Sequence, residues 1–239
     1  MARLGLMLYS VREACAVDFE GTLREVGALG FEGVELFDLH GERPVDVAAW
    51  LDESALIACG RHASLEAIEA GLPELADEAR TLGWRRLVVS WIDPDRLDDP
   101  QLPGRLAMAA EAASELGLEL GYHNHDAEIR GGFLDRLPGG LFVELDLGWA
   151  WWAGADPVEV LERLGARCKL VHVKDFRARG ERAFCPVGDG AVGYERVALA
   201  AARSGVDWLL VEQDESDGSE LDAASRSLSA LRMMLGLAA

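Results

Sequence analysis

Two stretches, residues 142–147 (FVELDL) and 168–174 (CKLVHVK), decide how this chain is read. Each is an apolar run of strand length, and each carries a metal-competent side chain toward its C-terminal end: Asp146 on the first, His172 on the second. Two further runs share that plan. Residues 118–125 (LELGYHNH) end in His123 and His125, and residues 208–214 (WLLVEQD) carry Glu212 just past their apolar core. If the four strands are parallel neighbours in a closed barrel, their C-terminal ends converge on one mouth, because every strand of such a barrel points the same way.

Working outward, short apolar runs alternate eight times with helix-length amphipathic segments, the pattern of parallel strands joined by crossover helices. The expected strands are residues 4–9, 33–37, 57–62, 86–90, 118–123, 142–147, 169–174 and 208–212. The expected helices are 19–28, 45–53, 65–82, 102–116, 133–137, 157–164, 194–204 and 221–235. A Leu-Gly or Ser-Gly pair ends five of these helical segments, at Gly30, Gly83, Gly117, Gly165 and Gly205, which is a repeated C-cap signal. Asp156-Pro157 and Ser64 supply matching N-caps. No linker divides the chain, so one domain over residues 1–239 is expected, an α/β chain folded as a (β/α)8 TIM barrel, with an open doubly wound sheet as the alternative.

Composition narrows the function. The net charge of −19 repels phosphate backbones and anionic surfaces, so neither nucleic acid nor membrane is an expected partner. Half the residues are hydrophobic, yet no apolar run approaches the roughly 20 residues that span a bilayer. Residues 1–10 read as a first strand rather than a signal peptide, and the expected compartment is the cytoplasm. Cys15, Cys59, Cys168 and Cys185 have no CxxC spacing and read as reduced thiols.

All five histidines, His40, His62, His123, His125 and His172, fall at or just after the C-terminal ends of expected strands, the face where such barrels build active sites. Imidazole and carboxylate donors at His123, Asp146, His172 and Glu212 suit a divalent ion: Mn first, with Mg, Co, Zn or Fe as alternatives. Period-two alternation puts Glu144 beside Asp146, and Lys174 beside His172, on one face of each strand. Lys169 and Lys174 are the only lysines among 23 basic side chains. Lys174 is a candidate to stabilise an oxyanion; the competing reading is a salt bridge to Asp175 or a neighbouring carboxylate. Glu35 ends the second strand and is a candidate to bind hydroxyls or move a proton. His62, Trp91 and Trp149 are expected to touch substrate, the indoles by stacking on sugar C–H faces. Rim packing or a subunit contact in a homo-oligomer is the other reading for the indoles. Arg177 is a candidate anion contact, and the glycine-rich residues 188–193 (GDGAVG) read as a flexible loop over the mouth rather than a phosphate cradle.

The motifs LGLMLYSVRE, GFEGVELF, YHNHDAE, ELDLGWAWWAGADP, VHVKDF and WLLVEQD span nearly the whole chain. Together they resemble the xylose-isomerase-like sugar phosphate isomerase/epimerase family, a TIM-barrel superfamily that includes endonuclease IV, inosose dehydratase and ketose 3-epimerases. The resemblance implies a divalent metal held by Glu, Asp, His and Glu from strands five to eight. The last three fall on Asp146, His172 and Glu212. Strand five departs from the pattern, since His123 stands where many relatives carry Glu. In the epimerases two glutamates transfer protons. Here Glu212 supplies one, and His125, Glu144 and Glu35 are the candidates for the second. The implied activity is isomerisation or epimerisation of a sugar or sugar phosphate through an enediolate. A dehydratase on the same site and a metal-free sugar-binding barrel are the alternatives, and a DNA-repair nuclease is disfavoured by the charge.

Overall fold

The computed structural model describes residues 2–237; positions 1, 238 and 239 of the expected domain lie outside the described residues. Eight parallel strands close into a barrel: β1 (Arg3–Met7), β2 (Gly33–Leu36), β3 (Ile57–Ala63), β4 (Arg86–Val89), β5 (Glu119–His123), β6 (Phe142–Asp146), β7 (Cys168–Val173) and, after a hairpin of β8 (Asp175–Ala178) and β9 (Glu181–Cys185), β10 (Trp208–Val211). Each strand pairs with its sequence neighbours, and β10 closes on β1 with Arg3 opposite Trp208. The closed barrel, rather than the open sheet, is therefore the fold.

Local chemistry explains the helices between the strands. Helix Leu65–Leu82 starts where Ser64 accepts a hydrogen bond from the Ala67 amide, and it buries a stripe of Leu65, Ile68, Leu72, Ala76, Ala79 and Leu82. Helix Pro157–Leu164 opens on Asp156, whose carboxylate accepts from the Val158 amide, with Pro157 supplying the preset φ of a first helical turn. All five glycines that end expected helices have positive φ, from +52° at Gly165 to +95° at Gly30, where a Cβ would be strained.

Side-chain alternation sorts the barrel interior into levels. On β10, Trp208 and Leu210 share a face with Glu212; on β7, Leu170 shares one with His172 and Lys174; on β6, Phe142 shares one with Glu144 and Asp146. The lower residues, with Cys59 and Val88, form an apolar cluster separate from the larger core between strands and helices. An apolar plug thus closes the bottom of the barrel and carries the polar groups above it.

Six of the eight expected strands end one or two residues early, and two of those ends matter to the mouth. The first stops at Met7 and turns into a 3-10 segment, Leu8–Val11; the sixth stops at Asp146, which caps a helix, Leu147–Trp152, by accepting from the Trp149 amide at 2.7 Å. The antiparallel hairpin of β8 and β9 occupies what the sequence presents as a loop. Asp175, which opens it, is 1 % exposed, and its carboxylate accepts from the amides of Phe176 (2.9 Å), Gly188 (3.0 Å), Gly190 (3.2 Å) and Val192 (3.2 Å). The glycine-rich segment is therefore a lariat tied to Asp175: its amides serve a protein carboxylate, and a Cβ at Gly190 would collide with that group. Burial raises the Asp175 pKa, and the four amides work against that rise. Asp175→Ala leaves those donors without an acceptor and is expected to lower stability by roughly 2–3 kcal/mol, with faster proteolysis within residues 186–193. Urea denaturation and limited proteolysis measure both effects, and an unchanged denaturation midpoint contradicts the assignment.

Candidate functional site

His123, Asp146, His172 and Glu212 each offer a ligand atom within 4.8 Å of the others, and all four residues are buried. Adjacent strands bring them together: Asp146 is in register with His172, and Glu212 follows β10, where its amide bonds the Val173 carbonyl of β7. The Asp146 carboxylate is split in function. Its Oδ1 holds the Trp149 amide, whereas Oδ2 is buried without a hydrogen bond, 4.0 Å from His123 Nε2 and 3.2 Å from the Lys174 ammonium in an ion pair. Asn124 fixes this strand end, accepting from the Asp146 amide at 3.0 Å.

Below the donors lies a second tier of histidines and carboxylates. Glu144 Oε2 is approached by His62 Nε2 at 2.6 Å, His123 Nδ1 at 3.0 Å and His172 Nε2 at 3.2 Å; Glu35 Oε2 lies 2.7 Å from His172 Nε2 and 3.3 Å from His62 Nε2. His62, His123, Glu144 and His172 form a second metal-competent group that shares two histidines with the first. Both Glu35 and Glu144 directly follow a register shift in their strands, the kind of local irregularity that re-aims a side chain. Gly60 makes room: a Cβ there would sit 2.8 Å from Glu35 Oε1. Neither glutamate lines the open cavity. They hold imidazole nitrogens turned away from the Asp146–Glu212 tier, the position from which a carboxylate orients a candidate donor.

Lys174 is 1 % exposed and pairs with Asp214 (2.8 Å), Glu212 (2.9 Å) and Asp146 (3.2 Å). The salt-bridge alternative thus describes it, with these partners instead of Asp175. Its ammonium is enclosed by these three carboxylates, and Lys174 is not among the residues lining the cavity.

The electrostatics follow from burial opposed by pairing. Burial raises the Asp146 pKa to about 7 despite Lys174, and burial together with the Glu144 charge raises Glu35 to about 7. Burial would also raise Glu212, but the charges of Lys174 and His172 hold it well below the ordinary range. Burial opposes ionisation of His172, yet Glu144 and Glu212 hold its pKa well above the usual value. Burial pushes His123 down to about 4 and His125 well below the usual range, so both rings are neutral and able to present a lone pair.

The tier opens into a cavity of about 700 Å³. Of the residues expected to act, His62, Trp91, His123, His125, Trp149 and Glu212 line it. His125 keeps Nδ1 unpartnered and packs against Trp149 at 5.6 Å. Arg177 does not line it: the guanidinium pairs with Asp217 at 2.7 Å beside a separate surface cleft, because the β8–β9 hairpin turns it outward. Arg182 on β9 faces the mouth instead, over the Trp149 ring at 5.4 Å. His40 packs edge-on against Phe19 and Phe37, outside the lining. The sequence reading assigned no role to Asn124, Glu128 or Asp214, although YHNHDAE and WLLVEQD contain them. Glu128 holds the Tyr122 hydroxyl (2.9 Å) and the His125 amide (3.0 Å). Asn124 beside His123 and Asp214 two positions after Glu212 are the signals the sequence carries.

The donor set fits a divalent ion. Two imidazoles and two carboxylates, one of them carrying the orphaned Asp146 Oδ2, are the chemistry such an ion takes, at roughly 2.0–2.2 Å per donor, with His172 giving up its proton on binding. The pH dependence has a definite sign. Asp146 and Glu35 have folded pKa values raised to about 7, so the stability tied to their protons is full below their unfolded range near 4 and lost as pH rises through about 7. An ion held by Asp146 needs that carboxylate ionised, so binding releases a proton below neutrality and strengthens as pH rises. The thermal shift produced by Mn²⁺ is therefore expected to be larger near pH 8 than near pH 6, read by calorimetry; an equal shift at both counts against Asp146 as a ligand.

Residues 23–234 match the family model described as xylose isomerase-like TIM barrel. Among curated proteins, the chain is 24% identical over 252 residues to an inosose dehydratase of Lacticaseibacillus casei, covering 83% of each. Among solved structures it is similar to a sugar phosphate isomerase/epimerase from Parabacteroides distasonis, with a TM-score of 0.79 and 18% identity over 98% of this chain and 94% of that one. It is also similar to an L-ribulose 3-epimerase, with a TM-score of 0.75 and 16% identity over 99% and 95%. Strand order, donor placement and these matches agree, and the chain belongs to the xylose isomerase-like TIM barrel family.

Proposed function

We propose that this protein is a divalent-metal-dependent enzyme, with Mn²⁺ as the first choice of ion, that removes a proton from the carbon next to the carbonyl of a polyhydroxylated ketone and then expels a β-hydroxyl as water. The observation that carries this reading is Glu212, the one carboxylate of the four-residue donor set that also lines the cavity. The ion would be held by His123, Asp146, His172 and Glu212 and would supply a Lewis acid that polarises the carbonyl and acidifies the neighbouring C–H.

The chain's own residues supply the rest. Lys174 and His172 keep Glu212 ionised, so it presents a base to the cavity, where a buried carboxylate alone would be protonated. The C–H bond breaks toward Glu212, the electron pair forms the C=C bond, and the β C–O bond breaks; the proton on Glu212 then leaves with the hydroxyl as water. Trp149 and the hairpin residue Arg182 cover that side of the cavity and limit bulk water. Dehydration draws support from the inosose dehydratase relative and from His123, a neutral imidazole where a second carboxylate would serve a proton-transferring pair.

Isomerisation or epimerisation is the second reading, and His125 favours it. Its unpartnered Nδ1 at the cavity is a second proton acceptor, able to take the C–H proton from one side while a protonated Glu212 returns one from the other. The product separates the two readings. Incubation in deuterated buffer with an inosose and with keto-sugars, free and phosphorylated, is expected to show Mn²⁺-dependent deuterium uptake with loss of water. Uptake without water loss selects the second reading. Glu212→Gln is expected to lower the rate by roughly 10²–10⁴-fold, and Asp146→Ala is expected to lose both metal and turnover; a near-normal rate in either variant removes this mechanism.

A further inference from the structure

The mouth of the barrel is divided by chemistry. The four ion donors come from the contiguous arc β5, β6, β7 and β10. The opposite arc, β1 to β4, presents Tyr9, Phe37, Trp91 and Ile92 to the same cavity. Tyr9 and Phe37 meet edge to face at 5.4 Å, so the two rings form one continuous apolar wall. Trp91 is 52 % exposed and Tyr9 39 %; among the described residues they are the only aromatics in the exposed large hydrophobic set, and both line this cavity. Large aromatic faces left open to water mark a binding surface.

Size and charge then specify what binds there. A six-carbon sugar has the volume of roughly six or seven waters, about 200 Å³, which fills roughly a third of the 700 Å³ available. A single ring of that size at the ion donors leaves about two thirds of the cavity, which the aromatic arc also lines, unfilled. An anionic substituent is a poor fit for the remainder: five carboxylates line the cavity against two arginines, in a chain of net charge −19. Arg12 already donates to the carbonyls of Tyr9 and Asp214, and Arg182 lies on Trp149.

We infer that the substrate is a neutral two-ring molecule, a keto-sugar carrying a second ring as a glycoside, with its reacting ring at the ion donors and its second ring on the Trp91 face. The inference rests on the keto-sugar reading for the first ring; the aromatic arc identifies the second. Trp91 acts here as a specificity residue: it stacks on a ring that the chemistry does not alter.

The test compares binding of neutral and charged probes to the purified, Mn²⁺-loaded protein by calorimetry, with no turnover required. Phenyl β-D-glucopyranoside and cellobiose are expected to bind at least tenfold tighter than glucose, and glucose 6-phosphate no tighter than glucose. Trp91→Ala is expected to erase that advantage while changing glucose binding less than twofold, and Trp91→Phe to restore most of it. Equal binding of one-ring and two-ring probes, preference for the phosphate, or a Trp91→Ala loss shared equally by all probes overturns the inference. Deuterium uptake into keto-sugars reads the chemistry separately. A protein that exchanges without the two-ring preference loses the second-ring site alone, and one with the preference but no exchange loses the reaction.

Discussion

Four carboxylates, Glu35, Glu144, Asp146 and Glu212, are buried within one barrel interior at 0 to 6 % exposure, and the upper half of the molecule is arranged around that cost. Unpaired, each would require several kcal/mol of desolvation. The fold meets the cost by interleaving positive or proton-bearing groups: His62 and His172 between the lower pair, Lys174 between the upper pair. His123 and His172 each turn one nitrogen to a lower carboxylate and the other toward Asp146 or Glu212, and His62 joins the lower pair. The lower tier thereby sets the tautomer and angle of the upper one.

Support for this layer comes from the apolar plug beneath it. Trp208, Phe142 and Leu170 fill the bottom of the barrel, and glycines on facing strands let them in: a Cβ at Gly121 would overlap the Phe142 ring, and one at Gly33 would lie 2.6 Å from Trp208. The plug excludes water from below, so the charges feel a low dielectric and each pairing above counts for more. That is also why Asp146 and Glu35 reach pKa values near 7 while Glu212, given Lys174 and His172, stays ionised. Two neighbouring carboxylates thus have their pKa values pushed in opposite directions because their surroundings differ.

The departures from the sequence reading have a common origin. Lys174 and Arg177 follow His172 closely in the chain, but side chains beyond a strand end take their direction from what packs on them. The β8–β9 hairpin turns Arg177 to Asp217, and carboxylates from β6 and from just after β10 draw Lys174 inward. The glycine-rich segment looks free in sequence because nothing nearby reveals that Asp175, up to 17 residues away, accepts its amides. Asn124 and Glu128 brace Asp146 and His125 through contacts that exist only once the strand ends are in place.

By itself, the amino-acid sequence determined the eight-fold alternation, the C-caps at glycine, and the side of each strand on which His123, Glu144, Asp146 and His172 stand, because caps and period-two alternation depend only on residues a few positions apart. Tertiary structure alone decided the depth of each group. Glu35 and His172 touch across 137 residues, and whether a glutamate reaches the cavity or holds a histidine from below depends on the stagger of the strands and on the shifts at Val34/Glu35 and Val143/Glu144. Register between strands is a property of the closed barrel, set by pairings that no local pattern encodes.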